Sequence, residues 1–75
     1  MKVTAGQVMK KASQLGWRKV KRGQENNALF FEIEGKRYTV PKGGNILNSI
    51  RELAVKNEYS PAGEMFAELY WNMVG

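Results

Sequence analysis

The 75 residues suffice for one small domain, residues 1–75, with little room for an elaborate cleft. Hydrophobic residues make up 43% and charged residues 25%, a globular rather than disordered composition, and the formal net charge is +5. With neither Cys nor His, the chain lacks a disulfide framework, a thiol nucleophile and the usual zinc and imidazole chemistries, so no metal or other cofactor is expected.

The charge is unevenly placed. Residues 1–45 hold ten Lys/Arg against three Glu, or +7, whereas residues 46–75 hold two against four, or −2. An N-terminal half this basic suggests an anionic partner, and nucleic acid is the commonest one for a small basic domain. The plainer alternative is a Lys-rich solvated face that keeps a small protein in solution. No apolar run approaches the ~20 residues that span a bilayer, and the start MKVTAGQ has no apolar segment behind its Lys. A soluble, cytoplasmic protein without membrane contact is expected.

In chain order, Thr4 and Gln7 have the spacing of a capping box, and Val3 and Val8 that of a hydrophobic staple. A helix is predicted over residues 5–15, with Val8, Ala12 and Leu15 on its apolar stripe and Gly16 as its stop. Trp17 to Arg22 alternates weakly, with Val20 inward, and is predicted as a strand. From Ala28 to Glu34, Leu29, Phe31 and Ile33 alternate with Phe30, Glu32 and Glu34, the period of a strand with one buried face. Gly35 permits a tight turn, and Tyr38 and Val40 continue on one face, so residues 28–40 read as a hairpin. Pro41 ends that strand, and Asn45 caps a second helix carrying Ile46, Leu47, Ile50, Leu53 and Ala54. Ser60 and Pro61 open a third helix over residues 61–73, whose wide stripe includes Met65, Phe66, Leu69, Tyr70 and Met73. The expected architecture is a two-layer α+β domain, α-β-β-β-α-α, with a three-stranded antiparallel meander and its helices on one face.

The stretch LGWRKVKRGQENNALFFEIEGKRYTVPKGGNILNSIRELAVKNEYSP resembles HicA-type toxins, small mRNA interferases with a double-stranded-RNA-binding-domain-like fold. The likeness lies in an L-G-aromatic step, a basic residue and Gly closing the first strand, a T-V-P end to the hairpin at Thr39 to Pro41, and the helix start at Leu47 to Ile50. It covers about residues 7–66. The resemblance implies the fold, a tendency to bind RNA, a toxin–antitoxin setting and a HicB-like antitoxin as partner.

One departure bears on activity. Family members carry a catalytic His just after the Gly that closes strand one, and here that turn reads Gly23, Gln24, Glu25, Asn26, Asn27. Cleavage through a 2′-hydroxyl needs a base and an acid that work near neutrality. Glu25, near the cations Lys21 and Arg22, is a poor substitute base. The chain therefore reads as a catalytically degenerate binder, with a ribonuclease using Glu25 or Lys21 the less favoured alternative.

The candidate nucleic-acid contacts are Arg18, Lys19, Lys21, Arg22, Asn26, Asn27, Lys36, Arg37 and Lys42. Strand alternation divides them between two faces, so they cannot all meet one ligand. Phe30 and Trp17 could stack on bases, although covering the sheet and plugging the domain edge explain them more simply. PKGG, residues 41–44, lacks the spacing of a nucleotide-binding loop but precedes a helix start suited to one phosphate. The other function class is protein recognition through Phe30, Phe66, Tyr70 and Trp71, as an antitoxin-binding module, a phage or mobile-element inhibitor of a nucleic-acid machine, or a homodimer.

Overall fold

The computed structural model describes residues 3–75, apart from the side chain of Lys19. The first helix, α1, runs Ala5–Gln14. Its capping box forms as expected: Thr4 Oγ1 accepts from the Gln7 backbone N–H at 3.2 Å and Gln7 Oε1 accepts from the Thr4 N–H at 2.9 Å. Two of the orphan donors at the helix start are thereby satisfied. Gly16, at φ 86°, takes the left-handed conformation that ends the helix.

Three antiparallel strands follow in the order β1-β2-β3: Lys21–Gln24, Ala28–Ile33 and Lys36–Pro41. The β2–β3 link is a two-residue turn with Glu34 at φ 51° and Gly35 at φ 80°. Positive φ at both central residues is the turn whose twist matches paired strands. On the inner sheet face Leu29, Phe31, Ile33, Tyr38 and Val40 are buried, as their alternation predicts.

Residues 17–22 depart from the predicted strand. Trp17–Lys19 form one turn of 3-10 helix, and β1 begins at Lys21. The register gives the reason. Lys21 lies opposite Glu32, so Val20 would meet Ile33 and the two residues before it would run past the Glu34–Gly35 turn, where no strand remains to pair. The chain folds back instead and drives Trp17 into the core.

The helices α2 (Ile46–Lys56) and α3 (Pro61–Val74) pack on each other and, with α1, close the inner face of the sheet. Asn45 caps α2 through its side chain, and Ser60 caps α3, whose first residue is Pro61. Phe66 is the hub of the core. Its ring makes edge-to-face contacts with Trp17, Phe31 and Tyr38, at centroid separations of 6.0, 5.6 and 5.5 Å. The connection between α2 and α3 is tight because residue 63 has no side chain: a Cβ there would overlap the Asn57 carbonyl.

Candidate nucleic-acid interface

The nine predicted contact residues fall into three groups. The first lies on the outer face of the sheet, where cross-strand geometry sets carboxylates beside cations. Lys21 and Glu32 are direct cross-strand neighbours, with Nζ 3.9 Å from the carboxylate. Arg37 is ion-paired with Glu25. The Arg37 guanidinium also lies 4.3 Å from the centroid of Phe30. That ring rests over Gly23, where a Cβ would stand 2.7 Å from it. Lys21 and Arg37 are therefore partly neutralised, and Phe30 is engaged rather than open for stacking on a base.

The second group gathers where β1 starts. Arg22 points to the inner side of the sheet and is half-buried. Its guanidinium donates to the Trp17 carbonyl and, at 3.4 Å, to the Val20 carbonyl. The Trp17 carbonyl also accepts the Val20 N–H at 3.3 Å, so Arg22 adds a charged second donor there and reaches the Val20 carbonyl as well. It is a clamp on the 3-10 turn. Arg18 is exposed beside it, and the Lys19 side chain lies outside the described residues. Lys36, at the neighbouring hairpin end, has its Nζ 5.5 Å from the centre of the Tyr38 ring.

The third group is at the opposite end of the strands. The turn between β1 and β2 is closed by the Glu25 N–H donating to the Ala28 carbonyl at 2.8 Å. The Lys42 N–H donates to the Asn27 carbonyl at 3.0 Å. This second bond ties the exposed amides of Asn26 and Asn27 to the loop that carries Lys42, Gly43 and Gly44 into α2. Gly44, at φ 75°, makes the bend into the helix cap. Asn26, Asn27, Lys42 and the partly positive N-terminus of α2 thus belong to adjoining segments at this end of the sheet.

A further basic feature was not among the predicted contacts. Lys10 and Lys11 line a groove between α1 and the end of α3, together with Gln7, Gln14 and Asn72. The helical wheel marks Lys10 and Lys11 as outward, but nothing in the sequence shows that α3 supplies the second wall.

Of the aromatic expectations, the plainer one for Trp17 is met and the one for Phe66 requires correction. Trp17 is 4% exposed and packs edge-to-face on Phe31 and Phe66, so it offers no surface to a base. Phe66 is fully buried and cannot belong to a protein interface. The exposed apolar surface lies on the outside of α2 and α3, where Val55 is 62% and Trp71 68% exposed, with Tyr59 at 97% in the connection between them. Tyr70, half-buried, meets Trp71 edge-to-face at 5.3 Å.

The chain matches no family model, no curated protein and no solved structure. Among the described residues, no helix is long and apolar enough to cross a membrane.

Proposed function

We propose that this is a small nucleic-acid-binding domain that holds phosphate without cutting it, with RNA favoured over DNA because of the HicA-like pattern in the sequence. The observation that carries the reading is the backbone hydrogen bond from Lys42 to Asn27, which holds the Asn26–Asn27 turn against the loop that leads through Lys42 into α2. Backbone N–H groups at a helix start, amides and a flexible ammonium are groups that bind phosphate oxygens. The same turn stands where a HicA-like nuclease would carry its His, and here it offers Glu25 held by Arg37. Binding there is an electrostatic, backbone-directed contact with little base readout. A second reading, protein recognition, is supported by the exposed apolar side chains on α2 and α3.

The test is a salt series with labelled single- and double-stranded RNA and DNA. Retardation at low salt is expected, strongest on RNA. Lys42→Glu should weaken it roughly tenfold and flatten the salt slope by about one unit, as loss of a phosphate contact requires. No retardation at low salt would end the nucleic-acid reading, and cleavage products would overturn the view that the domain only binds.

A further inference from the structure

The outer surface of α2 and α3 forms an apolar groove whose charges are arranged in a self-complementary way. Its floor and walls include Ala54 and Val55 from α2 and Ala67, Tyr70 and Trp71 from α3. Arg51 borders it at one end and Glu58 at the other. The two charges are seven positions apart in sequence, Arg51 on α2 and Glu58 just past its C-terminal end. Ala54 and Val55 lie midway between them in sequence. A two-fold axis passing over that midpoint, with the two α2 helices antiparallel, places each Arg51 opposite the Glu58 of a second copy. A two-fold contact requires this, because the same patch must complement itself.

We infer that this groove is a symmetric docking surface for a second copy of the chain. The small side chains Ala54 and Ala67 leave room between the helices, and Trp71 is a protruding ring large enough to fill it. Trp is the residue type most often found to dominate contact energy when it is buried at the centre of an interface. Electrostatics agree. Residues 46–75, which carry this face, have two cations against four carboxylates, so the strong positive charge of the N-terminal half lies elsewhere in the chain. The inference is independent of the nucleic-acid reading and survives if that reading fails.

The experiment is sedimentation equilibrium of the full chain without nucleic acid, on four samples. The wild type should show a concentration-dependent monomer–dimer equilibrium. Trp71→Ala should weaken it about 30-fold or more. Arg51→Glu alone and Glu58→Arg alone should each weaken self-association by about tenfold, since each opposes like charges at two symmetric places. Mixing those two variants should restore association to within about threefold of wild type, because every contact in the mixed dimer is then between opposite charges. The substituted side chains are exposed, and melting curves that coincide at a dilution where every sample is monomeric confirm that only association has moved. A wild type that remains monomeric at millimolar concentration, or a mixture no better associated than its components, overturns the inference. Failure of the mixture with a dimeric wild type would place the self-contact on another face.

Discussion

The outer face of the sheet and the outer face of the α2–α3 pair each present a large aromatic ring beside charged groups, yet only one is free. Phe30 lies over Gly23 with Arg37 at its ring, and Arg37 in turn holds Glu25. Trp71 is 68% exposed and touches Tyr70 at its edge. The difference comes from secondary structure. In a sheet, neighbours across the strands stand about 5 Å away and complete one another's interactions. On the outside of a helix pair no third element supplies such neighbours. Counting basic or apolar residues therefore says little about which of them are available to a partner.

Four substitutions sharpen this contrast, beginning with the largest effect. Phe66→Ala should cost about 3–5 kcal/mol, because it opens a cavity beneath Trp17, Phe31 and Tyr38. A domain of this size has roughly 4–11 kcal/mol in all, so denaturant melting should show a protein near its unfolding limit. Trp71→Ala, five residues along the same helix, should leave monomer stability within about 0.5 kcal/mol. Equal costs for the two would erase the distinction between the buried and open sides of α3.

Arg22→Ala should come next, at about 2 kcal/mol, because it leaves the Trp17 and Val20 carbonyls without the charged donor they now have. Thermal melting distinguishes this clamp from a free phosphate contact, for which stability would hold and only affinity would fall. Glu25→Gln should have a smaller effect than Arg22→Ala, about 0.2–1 kcal/mol, as expected of a surface ion pair. It should also release Arg37 and raise nucleic-acid affinity modestly in the salt-series assay. A fall in affinity would mean that the turn needs its carboxylate.

Much of the fold was legible because local rules and tertiary demands coincide. The Thr4–Gln7 box, the alternation from Leu29 to Ile33, the Glu34–Gly35 turn and the Ser60–Pro61 start each state one structure in a few residues. Trp17 to Val20 was misread because a strand needs a partner, and the end of β2 is set by a turn fifteen residues downstream. The candidate site was less legible for a related reason. Every cation in RKVKR looks alike in a list, whereas their roles separate only once Arg22 finds two carbonyls and Lys21 finds Glu32. Phe66 and Trp71 belong to one aromatic-rich helix in sequence, five positions and so about 140° apart on the wheel, and the packing of α3 buries the first and leaves the second out.

The shortness of β1 has a consequence beyond the domain itself. Two of the three strands are sheet edges, each a template on which a foreign strand could grow. β1 offers four residues, among them Lys21, Arg22 and Gly23, and the opposite edge ends at Pro41, which has no N–H to give. At β1 an incoming strand would find too little ladder to extend, and charges where it would need apolar contacts. Fibrillar aggregation from the sheet is thereby discouraged, which leaves controlled association to the helices.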